Sequence, residues 1–569
     1  MAASELMREK ITSLVSELDT LHKAIGDGQS IDSLRSIFFS SRLNYKESEL
    51  FIEYYFQGLT KRINGPALPD VKTEDGQVWP PHGFQVMEQY LFTEPADSNR
   101  AELQKEIRLL QADLKFILAN IPATTILPQH AAEMVQHELI RIVTLGITGF
   151  DSPISLHSIT ETIAALRGIS QFQKAFYGDE ATANWEKQME STIAFLQSDR
   201  DFETMDRLAL ISDHLMPLSL NLANSINADK SDSLVTKPFR GTLDDIMKGQ
   251  GWNPDYYTTY AEGITNADKL ALGERLFYDQ HLSASTKLSC GSCHRPELFF
   301  TDGKTKAENF VHGGSPQRNT PGLMYAAMQS HQFYDLRSTT LEDQVHQVFS
   351  NKDEFNFSDS AIVLMLTKDT SYGSAFRKAF PRSEKFSGYE VRNAIGAYVR
   401  SLRPFRSRWD QYMKGKKEIL TQEEKYGFTL FAGKAKCATC HFIPLFNGNI
   451  PPWYTKSESE IIGVPQKAIW SKAIIDPDSG RHRINPIAEL AFAFKTPTVR
   501  NAEKTGPYMH NGVYTSLDEV VEFYHKGGGV GLGIELPFQT LPFDSLILSK
   551  TDKKAIVAFM KTLTDETPK

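Results

Sequence analysis

The four cysteines of this 569-residue chain constrain it more than any other feature of the sequence. They form two C-x-x-C pairs, each followed at once by a histidine: Cys290-Gly-Ser-Cys293-His294 and Cys437-Ala-Thr-Cys440-His441. C-x-x-C-H is the attachment pattern of c-type haem. Its two thiols add across the vinyl groups, and the adjacent histidine lies under the iron as proximal ligand. A single C-x-x-C can instead be a thioredoxin-like redox pair or half of a zinc site. Two copies that use every cysteine in the chain point to two covalent haems c, and they leave no thiol for a disulfide.

A chain of this length is too long for one ordinary core, so two to four domains are expected. With 41% hydrophobic and 23% charged residues the composition is that of a soluble globular protein. The net charge of -8 gives no sign of nucleic-acid binding, which favours a basic surface. No apolar run is long enough to cross a bilayer. The opening MAASELMREK lacks the apolar core of a signal peptide. Because c-type haem is attached outside the cytoplasm, an export signal is expected to have been removed, and a membrane anchor is expected only through such a segment.

Before residue 235 the apolar spacing is helical. Ile11, Leu14, Leu18 and Leu21 line one face, and Leu103, Ile107, Leu110, Leu114 and Ile117 another. The polar run Asn227-Ala-Asp-Lys-Ser-Asp-Ser233, with Pro238 after it, reads as a linker. Strand signals are sparse, so the fold class is mainly α. The expected domains are a helix bundle over 1–235, a first haem domain over 236–415 and a second over 416–569.

From about Leu270 to the C-terminus the sequence resembles the bacterial di-haem cytochrome c peroxidases and their relative MauG. The resemblance is carried by Leu272-Gly-Glu-Arg-Leu-Phe-Tyr-Asp279, Arg318-Asn-Thr-Pro321, Thr496-Pro-Thr-Val-Arg-Asn501 and Gly506-Pro-Tyr-Met-His-Asn-Gly512, in that order. It implies that the first haem reacts with hydrogen peroxide, with Gln344 and Glu354 on its distal side. Breaking the O–O bond needs a proton moved from the inner to the outer oxygen, and a nearby carboxylate can act as base and then acid. Taken without the resemblance, Glu354 would be a solvated loop charge. His312 falls near a histidine that caps the resting first haem in classical members, one residue out of register with Arg318. A loop histidine without a ligand role is the other reading.

At the second haem the family places a methionine as second axial ligand; the matching position here is Tyr524, and MauG resembles this chain in having a tyrosine there. A thioether favours ferrous iron and raises the potential, whereas a phenolate stabilises higher oxidation states. His525 or Met509 would ligate if Tyr524 were only a core aromatic. Between the haems the family usually has a tryptophan; Tyr334 replaces it in Gln332-Phe-Tyr-Asp-Leu-Arg337. Asn319, Thr505 and Pro507 match inter-domain calcium ligands, and an all-oxygen set suits a hard cation. The bundle has a fainter likeness to imelysin-like domains in Gly83-Phe-Gln-Val-Met-Glu88, with Gln85 where their histidine stands and Glu88 readable as part of a structural helix face.

The resemblance thus implies a periplasmic bacterial peroxidase, with electrons supplied by a small donor protein. The alternatives are MauG-like oxidation of Trp or Tyr in a partner protein, and a non-catalytic electron-transfer cytochrome. The distal pair Gln344 and Glu354 argues against the last of these.

Overall fold

Helices form where the apolar spacing places them. In the computed structural model, which describes residues 2–226, 237–258, 261–307, 318–542 and 544–567, the helix Ala2–Gly26 buries Ile11, Leu14, Leu18 and Leu21 completely. The helix Arg100–Asn120 buries Leu103, Ile107, Leu110, Leu114 and Ile117 in the same way. Strands among the described residues are short and antiparallel: Asp70–Lys72 pairs with Gln77–Trp79, and Ser459–Ile461 with Ala493–Lys495. The protein is mainly α.

The chain divides into two compact units. One comprises 1–232, 241–247 and 428–439; the other comprises 233–240, 248–427 and 440–569. The boundary expected at residue 235, and the linker before it, lie outside the described residues.

The first unit is a bundle whose interior is unusually ionic. Arg42, Lys46 and Arg141 are buried with Glu49, Glu53, Asp151 and Glu161. Asp151 takes both terminal nitrogens of Arg141 at 2.7 and 2.8 Å and the ammonium of Lys46 at 2.6 Å. Arg42 pairs with Glu161 and donates to the Asp151 carbonyl at 2.8 Å. Desolvation on this scale is tolerated only where each charge is matched, so the removal of one partner would cost several kcal/mol. Gln85 and Glu88 belong to the same interior: Gln85 donates to the Asn64 carbonyl at 2.9 Å, and Glu88 accepts the backbone N–H of Ser155 at 2.9 Å. The segment 428–439 is held here too. The Lys436 ammonium reaches the Pro153 carbonyl at 3.1 Å, and Gly433 leaves room for the Arg207 guanidinium.

The second unit is built around a repeated helix crossing. The helix Ala267–Phe277 lies against Gly388–Ser401, and a Cβ at Gly273 would collide with the Ala394 carbonyl. In the second crossing Gly427 meets the Ala555 carbonyl of the helix Lys550–Thr562 in the same way. One turn beyond each contacted alanine stands an aromatic residue, Tyr398 in the first crossing and Phe559 in the second. Glycine is needed at both crossings because the backbones approach more closely than any side chain permits.

Candidate functional site

The first attachment segment is a single helical turn, Cys290–Cys293, whose Ser289 forms a reciprocal capping pair with Ser292. His294 follows at its end, half-buried, and its Nδ1 donates to the Phe300 carbonyl at 2.9 Å. That bond selects the tautomer with the Nε2 lone pair directed away, the one a metal needs. The chain turns back sharply to supply the carbonyl: Phe299 and Phe300 both adopt left-handed backbone angles, with φ of 55° and 60°. Two successive non-glycine residues in that region hold strain. Burial lowers the basicity of His294 and keeps the imidazole neutral.

The second segment repeats the arrangement with different parts. His441 Nδ1 donates to the Pro497 carbonyl at 3.0 Å, and burial lowers its pKa to about 4. Pro497 is set by its own motif. Thr498 Oγ donates to the Leu445 carbonyl at 2.8 Å, and Arg500 pairs with Asp410 at 2.9 and 3.1 Å and reaches the Pro444 carbonyl at 2.9 Å. Arg500 and Asp410 have no exposed side-chain surface.

None of the four cysteines is in a disulfide. Burial pushes the Cys290 and Cys437 thiols up to about 12. Thioredoxin-type pairs work through a lowered thiol pKa, so the local environment is opposite to what that chemistry requires. Among the described residues no three or more His, Cys, Asp or Glu side chains form a cluster able to hold a metal ion. Half-buried thiols beside neutral histidines with a directed Nε2 fit two covalent haems c.

Glu354 lies close enough to the first segment for its charge to raise Cys290 further. Burial raises the Glu354 carboxyl above the ordinary range; a 2.8 Å hydrogen bond from Asn351 and the charge of Arg337 oppose the rise. Arg337 escaped the sequence reading. It donates to Asp335 at 2.8 Å and to Gln347 at 2.8 Å, and its guanidinium lies 3.4 Å from the Phe333 ring centroid. Its position in Asp335-Leu-Arg337 carried no signal of its neighbourhood to Glu354, which is 17 residues on. Gln344 sits half-buried on the helix Leu341–Ser350, one turn before Gln347.

Tyr334 is half-buried, and its hydroxyl donates to Asn319 Oδ1 at 2.9 Å. Burial raises this phenol well above its usual range. Asn319 Nδ2 in turn donates to the Lys304 and Pro507 carbonyls, each at 3.1 Å. Asn319 and Pro507 are therefore brought together, with Thr505 two residues from Pro507. Asp335 joins this region to the first site, accepting from both Arg318 (2.6 Å) and Arg337.

Tyr524 lies on the helix Leu517–His525 and packs against the buried cluster Tyr514, Phe523 and Leu532. Met509 packs against the same cluster. His525 is placed elsewhere: its carbonyl accepts from Leu546, and the charges it feels are those of Lys553, Glu522 and Lys526. His312 lies outside the described residues.

Residues 267–418 match the family model of di-haem cytochrome c peroxidase. The methylamine utilization protein MauG of Methylorubrum extorquens is 33% identical over 300 residues, 52% of this chain and 79% of that protein. The cytochrome c551 peroxidase of Nitrosomonas europaea is 30% identical over 303 residues, 53% of this chain and 82% of that one. Among solved structures, a MauG-like protein associated with microbial copper homeostasis aligns with a TM-score of 0.46 at 28% identity, covering 59% of this chain and 96% of that one.

Proposed function

The chain belongs to the di-haem cytochrome c peroxidase and MauG family, and from that premise we propose that it reduces hydrogen peroxide at its first haem with Glu354 as the proton-transferring group. Cys290, Cys293 and His294 would hold the first haem, and Cys437, Cys440 and His441 the second. When bound, the two haems would supply the redox chemistry, passing to peroxide the two electrons that a donor provides. Glu354 takes the proton from the inner peroxide oxygen and delivers it to the outer one, which leaves as water. Its raised pKa suits both halves of that role, since a group poised nearer neutrality can accept and return a proton. Arg337 stabilises the ionised form of Glu354 and so limits the rise of its pKa, and Gln344 orients the peroxide.

The observation that carries this reading is the single neighbourhood shared by Glu354, Arg337 and Cys290. Stopped-flow absorbance of the fully loaded protein mixed with peroxide tests it. The Glu354→Gln variant should react far more slowly with both haems retained, and a variant as fast as the parent overturns the assignment.

A second reading, MauG-like oxidation of Trp or Tyr in a partner protein, is favoured by Tyr524. As a ligand to the second iron it would lower the potential and favour a stored oxidising equivalent over a ready electron. Tyr334 would pass charge between the haems only with movement of its phenolic proton, and the Asn319 carboxamide to which it hydrogen-bonds orients the hydroxyl without being a base able to take that proton. A calcium ion held by Asn319 and the carbonyls of Thr505 and Pro507 would compete for that same Asn319 oxygen. Peroxide added to the diferric protein separates the readings: a long-lived oxidised species supports the MauG-like one, and inertness until half-reduction supports the peroxidase alone. The working place is the periplasm, where a small donor protein would dock.

A further inference from the structure

Tyr278 and Tyr398 form a pair beside the first attachment segment that the peroxide chemistry above does not use. Tyr398 is 8% exposed and packs between Phe277 (ring centroids 5.0 Å) and Phe300 (6.4 Å). Phe300 is the residue whose carbonyl receives His294 Nδ1. The Tyr398 hydroxyl is 3.2 Å from that of Tyr278. Tyr278 is 41% exposed, and its ring covers Gly291, the first residue between the two haem-bearing cysteines, so that a Cβ there would strike it. A continuous series of aromatic contacts and hydrogen bonds therefore leads from the proximal histidine to solvent: His294, Phe300, Tyr398, Tyr278.

The second crossing gives the internal control. Phe559 stands where Tyr398 does and lies 5.9 Å from Phe446, much as Tyr398 lies from Phe300. Leu430-Phe431-Ala432 follows Gly427 as Leu276-Phe277-Tyr278 follows Gly273. At the second haem both hydroxyl-bearing positions are thus apolar. Packing alone does not require the phenols, because the same scaffold closes around Phe559 without one. A buried tyrosine hydroxyl also needs a partner, and Tyr278 provides it.

We propose that Tyr398 and Tyr278 form a one-electron relay that carries oxidising equivalents from the first haem to the protein surface. The inference rests on the peroxide-reducing function proposed above, which supplies the oxidant. Tyr278 loses one electron, which passes through the Tyr398 ring to the peroxide-oxidised haem centre. Its phenolic proton leaves to water, and one of the two oxidising equivalents delivered by peroxide is consumed. Tyr278 becomes a neutral phenoxyl radical at the surface. A small phenolic donor restores it by giving up an electron and a proton, a hydrogen-atom exchange between like groups that is close to balanced. Tyr278 is thereby the place where a reductant of the phenol class acts.

The test uses the fully haem-loaded protein, one equivalent of peroxide and no added reductant, followed by haem absorbance, freeze-quench EPR and mass spectrometry of a nitroso spin-trap adduct. The parent should show a tyrosyl radical with the adduct on Tyr278, and p-cresol should shorten its lifetime. Tyr278→Phe, which keeps the ring over Gly291, should lose the adduct and slow the decay of the oxidised haem signal several-fold. Tyr398→Phe should do the same while leaving Tyr278 in place. Tyr426→Phe, a change at another exposed tyrosine, should alter nothing. An adduct and decay unchanged in Tyr278→Phe would overturn the relay while leaving the peroxidase intact. Haem absorbance that fails to respond to peroxide in the parent would overturn both.

Discussion

The two haem segments share a scaffold and differ in how they treat protons. In each, a glycine lets one helix meet the carbonyl of another, a histidine donates Nδ1 to a backbone oxygen, and an aromatic residue stands one turn beyond the crossing. Around the first, the added side chains are ones that can exchange a proton: Glu354 with its raised pKa, and the Tyr398–Tyr278 pair. Around the second, Phe559 packs with Trp409 and Phe446, and the buried charges Arg500 and Asp410 are locked together. The repeated positions are those where backbone meets backbone, which leave no freedom. The divergent positions are those that carry exchangeable protons, and under the function proposed above this asymmetry would leave the first haem to react with peroxide and the second to serve it.

The hardest blow to this comparison would fall at Glu354. Its replacement by glutamine should slow peroxide reaction by about 10²–10⁴-fold, read by stopped flow, with no change in the spectrum of the second haem. Next is the locked pair. Arg500→Met strands the buried Asp410 carboxylate and should cost about 3–5 kcal/mol in a denaturant titration. Arg318→Met should cost less, because Arg318 is partly exposed where Arg500 is not. Tyr524→Met should raise the second potential by on the order of 0.1 V in a spectroelectrochemical titration, and an unchanged potential would show that Tyr524 is not the ligand. The smallest expected effect is at Tyr334→Phe. It removes one hydrogen bond to Asn319, worth about 0.5–1.5 kcal/mol, and should slow charge equilibration between the haems with both ligand sets unaltered.

Much of this was legible in the sequence because it is local. The C-x-x-C-H motifs, the apolar faces of Ala2–Gly26 and Arg100–Asn120, and the helical class all follow from spacings of a few residues. What escaped depends on chain segments meeting at a distance. Arg42 and Glu161 are 119 residues apart, and nothing near either announces the ionic interior of the bundle. Asp410 and Arg500 are 90 apart. Arg337 was quoted only as part of a tyrosine's surroundings, and its importance lies in where the chain brings Glu354. The Tyr398–Tyr278 pair was hidden likewise, since an isolated tyrosine on an apolar helix face reads as core. Gly273 and Gly427 sit inside helical patterns, where glycine alone argues against a helix; only the crossing carbonyls explain them.

The two proximal histidines also find their acceptors over very different lengths of chain. His294 bonds to a carbonyl 6 residues away, and His441 to one 56 residues away. Loop-closure entropy grows as the logarithm of length, so the second contact costs about 2 kcal/mol more to form from the unfolded chain. In the order of folding events, the first imidazole is oriented as soon as its own turn closes. The second forms only once Pro497, 56 residues away, has been brought to it. The first contact is therefore local and the second long-range, so mutations that slow folding without changing the final structure should show themselves as protein matured at Cys290 and Cys293 before Cys437 and Cys440.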